Sequence, residues 1–216
     1  MSVESRATGI ILRTRPLTET SLIVHWLTAD CGRVATVAKG ARRPKSPFRG
    51  KLDLFYECDF TFARSRRSEL HALREARLIE SHSALRRTMG WLEQAAYAAA
   101  LIEQTTETET PLPGFLELMT SFLCHLPGQA PQPRTVFAFE LRLLQELGLL
   151  PDPAVLPLTS GSREIVTGLA LLEWSALGAL KPTAIQVREL DTWLRDFLLH
   201  HLGRIPPGRD GAVAGG

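Results

Sequence analysis

The chain has 216 residues, 44% of them hydrophobic, and its 25 Lys/Arg against 23 Asp/Glu give a formal net charge of +2. This length and composition allow one large domain or two small ones. Three widely spaced cysteines (Cys31, Cys58, Cys124) exclude a disulfide framework, and no apolar stretch approaches the roughly 20 residues that span a bilayer. The N-terminus also lacks a signal-peptide pattern, so a cytoplasmic protein is expected.

The first third of the chain has the patterns of short strands. Residues 8–15 are rich in β-branched side chains, 21–28 are apolar, and 33–39 form a third short strand. Apolar and polar side chains alternate strictly over residues 54–62, which predicts a fourth strand. A hairpin loop follows, and residues 68–77 are predicted to form the fifth strand. The predicted core face of the fourth strand carries Leu54, Tyr56, Cys58, Phe60 and Phe62. Five short strands without intervening helices predict a closed or nearly closed β-barrel.

Between the third and fourth strands lies a basic loop, residues 39–51, which contains six cations and no acid. Its prolines and glycines exclude a helix. Such a loop suits the backbone of a polyanion, and Phe48 is a candidate to stack on a base. The cations of the basic loop are Lys39, Arg42, Arg43, Lys45, Arg49 and Lys51. The alternative to nucleic-acid binding is that residues 39–51 form an ordinary solvated surface loop without a ligand.

A second basic cluster adds to this interpretation. Arg64, Arg66 and Arg67 lie at the tip of the hairpin predicted between the last two strands. The tip and the basic loop are expected to flank one groove of the barrel, as in single-strand binders, and Phe55 is a further weak stacking candidate.

The rest of the chain has helical periodicity. Apolar side chains recur at helical spacing through residues 81–204, and 205–216 is predicted to be a disordered tail because it is rich in Pro and Gly. The charge is divided unequally: residues 1–80 hold fifteen Lys/Arg and nine Asp/Glu, a net charge of +6, whereas the remainder has a net charge of −4. This asymmetry predicts a polyanion-binding barrel, residues 1–80, joined to a helical domain with a different role.

Motifs for other functions are missing. The segment 40–46 lacks the second glycine of a P-loop, and Pro44 stands where a backbone N–H would face phosphate. No two cysteines have the spacing of zinc ligands, and no nucleophile elbow or His-Glu-x-x-His motif occurs. The sequence therefore predicts no enzyme activity, no metal and no cofactor.

Several segments carry a family resemblance. The runs 9–24 (GIILRTRPLTETSLIV), 28–34 (TADCGRV) and 37–43 (VAKGARR), followed more weakly by 139–144 (FELRLL) and Leu147-Gly148, resemble the RecO family of bacterial recombination mediators. The resemblance implies an α+β protein, with a five-stranded OB-fold β-barrel followed by a mainly helical domain. One departure is clear: many members carry a four-cysteine zinc module where this chain has 153–162, which contains no cysteine.

The resemblance also implies a function in the nucleoid. Family members bind single- and double-stranded DNA, anneal complementary strands and help to load RecA onto strands coated by single-strand binding protein. Their partners include RecR and the acidic tail of single-strand binding protein. For that tail, the expected site on this chain is an apolar helix face near Arg134 and Arg142, two turns apart.

Two other readings of the residues remain open. Backbone contacts do not distinguish DNA from RNA, so an RNA-binding OB-fold module on a helical scaffold is the main alternative. A structural interaction protein whose basic loop binds acidic protein tails is the second.

Overall fold

The computed structural model describes residues 4–215. Five strands, β1 (Glu4–Pro16), β2 (Leu22–Thr28), β3 (Arg33–Ala38), β4 (Glu57–Ala63) and β5 (Leu70–Glu80), form a closed barrel in the order β1-β2-β3-β5-β4. All pairs are antiparallel except β3 with β5, where Ala35 faces Leu70. The predicted α+β fold with a five-stranded N-terminal barrel is confirmed.

The barrel core is built from side chains that alternate along the strands. The Trp26 ring stacks on Phe60 at a centroid distance of 4.0 Å, and its indole N–H donates to the Thr36 hydroxyl at 2.8 Å. Phe60, Phe62 and Cys58 are buried as the alternation predicts. The fourth strand begins later than expected, because Asp53–Tyr56 forms a turn in which Phe55 has a φ of +66°.

The helices follow the barrel in the second part of the chain. They are α1 (Met89–Thr105), α2 (Pro113–His125), α3 (Pro133–Glu146), α4 (Ser160–Leu171), α5 (Ala184–Leu202) and α6 (Arg209–Ala214), with short 3₁₀ turns between several of them. Buried apolar side chains of α3, α4 and α5 form one cluster that includes Phe137, Leu169 and Leu194. Within residues 4–215, no helix is long and apolar enough to cross a membrane.

The chain divides into two compact units, and the division differs from the expected boundary at residue 80. The first unit extends to Ser83 and also contains Thr106–Thr120, and the second contains Ala84–Thr105 and the chain from Ser121 onward. The segment after α1 joins the barrel through backbone bonds from Glu109 to Arg33 (3.0 Å) and from Leu112 to Ala29 (2.8 Å). Gly32 permits this contact, since a Cβ there would lie 1.8 Å from the Thr110 carbonyl oxygen.

The prediction that residues 205–216 are disordered is wrong for Arg209–Ala214, which form α6. The Arg209 side chain, 3% exposed, bonds to both carboxylate oxygens of the buried Glu140 on α3, at 2.7 and 3.0 Å, and to Asp191 on α5. Gln94 donates to the Ala212 carbonyl at 3.1 Å. The low apolar content suggested disorder, but this helix is held by polar contacts whose partners are distant in sequence, together with the buried Ala212 and with Val213, which packs against the apolar cluster.

Candidate nucleic-acid interface

The basic loop is ordered by a series of tight turns rather than by a helix or strand. Backbone N–H groups of Arg43, Ser46, Arg49 and Lys51 each donate to the carbonyl three residues earlier, at 3.0–3.2 Å. The Arg42 N–H donates to the Thr20 carbonyl at 2.9 Å, which joins the loop to the β1–β2 connection. The prediction that no helix forms here is confirmed, and the turns present the side chains in a defined arrangement.

Phe48 anchors the loop from beneath. It is only 7% exposed and belongs to the barrel core cluster with Trp26, Phe60 and Leu73. The predicted stacking role of Phe48 is therefore corrected, because a ring buried in the barrel core is not available to a base. Phe55, at 2% exposure, is corrected for the same reason. The sequence shows Phe48 in a polar loop and Phe55 on the outward face of the predicted strand 54–62, but it does not show which way either ring points.

The cations of the loop face solvent. Lys39, Arg42, Arg43, Lys45 and Arg49 are exposed and Lys51 is half-buried. Of the ion pairs among the described residues, none involves these six side chains. Two of the guanidinium groups make only long contacts to backbone carbonyls, Arg42 to Thr18 at 3.4 Å and Arg49 to Pro44 at 3.3 Å. The loop thus concentrates positive charge that forms no ion pair with a carboxylate of residues 4–215.

Two cavities open beside the loop. The first, called here the loop cavity, has a volume of about 380 Å³, and its lining includes Arg42, Arg43 and Arg49. The second, called the Asp59 cavity, measures about 530 Å³ and is lined by Lys51 together with strand residues. The strand cations of the Asp59 cavity are Arg6, Arg74 and Arg77. Sequence reasoning missed these three arginines. Arg74 and Arg77 are three residues apart, and both are exposed because the register of β5 shifts between Leu73 and Glu75.

Asp59 organises the wall of its cavity. Its carboxylate accepts from the Thr8 hydroxyl at 2.6 Å, from Arg77 at 2.6 Å and from Arg6 at 3.2 Å. These bonds, with that from Thr8 the largest contribution, hold the pKa of Asp59 well below its usual range. Both arginines remain largely exposed, at 71% and 75%, so each keeps donors available beyond the carboxylate.

The hairpin tip does not join the loop in these cavities. Arg64 forms an ion pair with Glu109 at 2.9 Å, donates to Ser5 at 3.2 Å and lies over the Phe62 ring. Arg66 and Arg67 are exposed, and none of the three tip arginines lines the loop cavity or the Asp59 cavity. The register explains the separation: the tip lies beside the start of β3, where Ala35 faces Leu70, whereas the basic loop leaves from its end.

Arg134 and Arg142 have contacts of their own within the helical unit. Arg134 donates to the Leu180 carbonyl at 2.9 Å, and Arg142 donates to the Leu169 and Leu172 carbonyls at the end of α4. The Arg142 guanidinium also lies 3.9 Å from the centre of the Trp174 ring, and burial lowers its pKa. Both side chains therefore stabilise the helical unit, and their predicted role in partner binding stays a prediction.

An apolar groove lies elsewhere on the helical unit, along α5. Its volume is about 800 Å³, and its walls include Leu158, Trp193 and Phe197. Charged side chains at its edge include Arg188 and Asp196. Ile185, which also lines the groove, is 69% exposed.

No metal centre is apparent in the part of the chain that the structure describes. No group of three or more His, Cys, Asp or Glu side chains there could hold a metal ion. Segment 153–162 is instead organised by Glu189, whose carboxylate accepts from the Thr159 backbone N–H at 2.7 Å and from the Ser162 hydroxyl.

Comparison with known families agrees with this architecture. The model for the N-terminal domain of recombination protein O matches residues 1–82, and the model for its C-terminal domain matches residues 92–155. The chain belongs to the RecO family. The first of these matches contains the whole barrel and the basic loop, so the candidate interface lies in the N-terminal RecO domain.

Individual RecO relatives cover different shares of the chain. A DNA repair protein RecO of Rhodopirellula baltica is 34% identical over 143 residues, which is 66% of this chain and 53% of that relative. The RecO of Anaeromyxobacter dehalogenans is 28% identical over 235 residues and covers 92% of both chains. One from Listeria monocytogenes is 32% identical over 144 residues, 66% of this chain and 55% of the relative. The chain is thus a DNA repair protein of the RecO family.

Proposed function

We propose that this RecO protein binds single- and double-stranded DNA through the basic loop and anneals complementary strands. The observation that carries the proposal is the set of six loop cations, five of them exposed, that have no carboxylate partner among residues 4–215. A duplex or single strand carries a regular series of phosphates, and each contact to Lys or Arg releases condensed counterions. The ordered turns reduce the conformational entropy that the loop would otherwise lose on binding.

Annealing follows from the same electrostatics. Two complementary strands repel each other through their phosphates, and this repulsion slows their encounter. Cations that neutralise phosphates on both strands at one surface lower this repulsion without any covalent step. We therefore propose a mediator that requires no catalytic residue and no cofactor.

The Asp59 cavity extends the proposed interface beyond the loop. Arg6 and Arg77 are fixed by a shared carboxylate while most of their surface stays exposed. A guanidinium held in this way loses less side-chain entropy when it binds a phosphate. The path proposed for DNA thus runs from Arg42 and Arg43 past Lys51 to these two strand arginines.

The helical unit is proposed to bind protein partners. The candidates are RecR and the acidic tail of single-strand binding protein, and through them RecA would be loaded onto coated strands in the cytoplasm at the nucleoid. An acidic tail with apolar residues needs an apolar groove with cations at its edge. The groove along α5 supplies the apolar walls, Trp193 and Phe197, but Arg188 stands there beside two carboxylates, so the groove meets the requirement for cations only in part. Arg134 and Arg142 form the second candidate site. A titration of the tail peptide into Trp193→Ala and into Arg134→Ala separates the two sites, because only the variant of the true site should lose affinity for the peptide.

RNA binding is the main rival function, because the loop cations contact backbone and not bases. The deciding experiment is a competition in which a labelled single-stranded DNA is displaced by unlabelled DNA or RNA of matched sequence. The proposal expects DNA to compete at least as well as RNA, and expects the protein to accelerate annealing of complementary DNA strands. Preference for RNA together with no acceleration of DNA annealing would replace the proposal by the RNA-binding alternative.

A further inference from the structure

The outward face of α5 carries a stripe of five side chains that the rest of the chain leaves uncovered. Two large apolar side chains lie at its ends, Ile185 at 69% exposure and Leu199 at 49%. Between them, Arg188, Thr192 and Asp196 follow one another at intervals of four residues, and all three are exposed. This set is called here the α5 stripe. Spacings of three and four residues keep it on one side of the helix over a length of about 21 Å.

The opposite face of α5 is the one that packs within the helical unit. Leu190, Leu194 and Leu198 are buried in the apolar cluster that α5 shares with α3 and α4. Trp193 and Phe197 lie between the two faces, where they pack partly against that cluster and form walls of the groove along α5. The α5 stripe is therefore not needed for the internal packing of the unit.

The charged side chains of the α5 stripe have no partner within the described chain. Among residues 4–215, neither the Arg188 nor the Asp196 side chain forms a hydrogen bond or an ion pair. They do not pair with each other, because eight residues separate them by about 12 Å along the helix. Both charges are thus available to a group outside the chain.

The order of the side chains makes the α5 stripe complementary to itself. When a second copy of α5 is laid antiparallel on the first, with a two-fold axis at Thr192, Arg188 faces the partner's Asp196. The same register places Ile185 opposite the partner's Leu199, because both pairs are centred on residue 192. A parallel pair in register would instead bring two arginines together and two aspartates together. A two-fold interface requires the self-complementarity that the antiparallel register provides.

We propose that the α5 stripe is the interface of a homodimer in which two copies of this chain pair their α5 helices antiparallel. Thr192 at the crossing point is small enough for the helix axes to approach to about 8–10 Å. Two ion pairs between Arg188 and Asp196 flank the crossing point, and apolar contacts between Ile185 and Leu199 close both ends. Contact through one helix from each chain is small, so a weak dimer is expected, with a dissociation constant of about 10–100 µM.

The charges of this surface favour a second copy of the chain over an acidic peptide. Arg188 stands there with two carboxylates, Asp196 and Glu189. An acidic tail would meet more negative than positive charge, whereas a second α5 stripe offers both signs at the matching positions. The dimer would cover the groove along α5 and leave Arg134 and Arg142 as the candidate site for a tail.

The test is the mass of the full chain in solution, measured by sedimentation equilibrium from about 1 to about 300 µM. The wild-type mass should rise from 23.9 kDa towards twice that value as the concentration increases. Arg188→Glu and Asp196→Arg each turn both ion pairs of the dimer into like-charge pairs, and each should weaken the dimer by about tenfold or more. The control Arg87→Glu, the same reversal at an exposed residue before α1, should dimerise like the wild type. No DNA is present, so the result is independent of the proposed function.

Two combinations restore the attraction and so separate a lost interface from a lost fold. In the double variant Arg188→Glu/Asp196→Arg, every pair across the interface again joins an acid to a base, and the wild-type affinity should return to within about threefold. An equimolar mixture of the two single variants can form a heterodimer with opposite charges in both pairs. This mixture should dimerise at concentrations where neither single variant does so alone.

Three results would overturn the inference. A wild-type mass that stays at 23.9 kDa up to about 300 µM would show that the α5 stripe does not bind a second copy. A dimer that both charge reversals leave intact would lie on another surface of the chain. A double variant that stays monomeric, while the wild type dimerises, would exclude the antiparallel register. A monomeric wild type whose affinity for an acidic tail peptide is lost in Trp193→Ala would assign the groove to that peptide instead.

Discussion

Replacing Arg209 by methionine should destabilise the helical unit strongly. The guanidinium is buried and makes two bonds to Glu140, which is fully buried, and one to Asp191 at 2.5 Å. Arg209→Met keeps most of the apolar volume but leaves the Glu140 carboxylate in the interior without its cation. Breaking a buried pair from one side costs about 3–5 kcal/mol. A loss of that size is expected in the free energy of unfolding from urea titrations followed by the helical circular dichroism signal.

A second substitution separates the lost charge from the lost packing. Adding Glu140→Gln to Arg209→Met removes the carboxylate that has lost its partner and keeps an acceptor for the Tyr97 hydroxyl, which bonds to Glu140 at 2.6 Å. The double variant should regain more than about 1 kcal/mol relative to Arg209→Met. The control is Asp210→Ala on α6, which removes an exposed ion pair to Arg195 of α5 and should leave the urea midpoint almost unchanged.

The pH dependence gives an independent check. Burial raises the pKa of the Glu140 carboxyl, and the Arg209 guanidinium and Tyr97 hydroxyl oppose this rise. Without Arg209 the folded-state pKa rises further above the unfolded value. The stability associated with such a group is present at low pH and lost as the pH rises through the folded pKa. The deficit of Arg209→Met should therefore shrink between about pH 7 and about pH 5. A deficit below about 1 kcal/mol that is independent of pH would refute the reasoning and leave α6 without a structural role.

Three further predictions follow from the barrel. Phe48→Ala should lower the free energy of unfolding by about 3–5 kcal/mol, whereas a solvent-exposed stacking residue would leave it unchanged. Asp59→Asn should destabilise the protein near pH 7, and this difference should shrink progressively as the pH falls from about 3.9, the unfolded pKa, towards the depressed folded pKa of Asp59; a difference that stays constant with pH would contradict the pairing. Cys58, buried and with a pKa raised to about 11, should resist alkylation at about pH 8 while the exposed Cys124 reacts, as mass spectrometry of native protein can establish.

The barrel was predictable from sequence because its signals are local. Alternation along β4 identified Phe60 and Phe62 as core residues, and the prolines and glycines of 39–51 marked a loop. The cations of the loop were found for the same reason, since six of them lie within thirteen residues. The family resemblance depended on these same segments, and the family matches confirm it.

The rest of the candidate site depends on which strands become neighbours. Arg6 and Arg77 meet at Asp59 only because β1 and β5 flank β4 in the closed barrel. This meeting does not follow from spacing along the chain.

The errors have a common physical origin. An aromatic ring in a polar loop, such as Phe48, is expected to be exposed, and so is a cation near the chain end, such as Arg209. Both side chains are buried instead. Tertiary partners reversed both expectations, through the apolar barrel core in one case and the buried Glu140 carboxylate in the other.

The most direct test of the central claim is the salt dependence of single-stranded DNA binding by the wild type and by Arg42→Ala/Arg43→Ala. Four to six phosphate contacts predict a slope of about −3 to −4 in a plot of log affinity against log salt. The loop variant should lose about 1.4 from the magnitude of this slope, about 0.7 for each contact, and should bind all sequences more weakly. The control Lys181→Ala/Arg204→Ala, which removes two exposed cations of the helical unit, should retain the wild-type slope. An affinity that does not depend on salt, or a loop variant with the wild-type slope, would contradict the claim that the basic loop binds DNA.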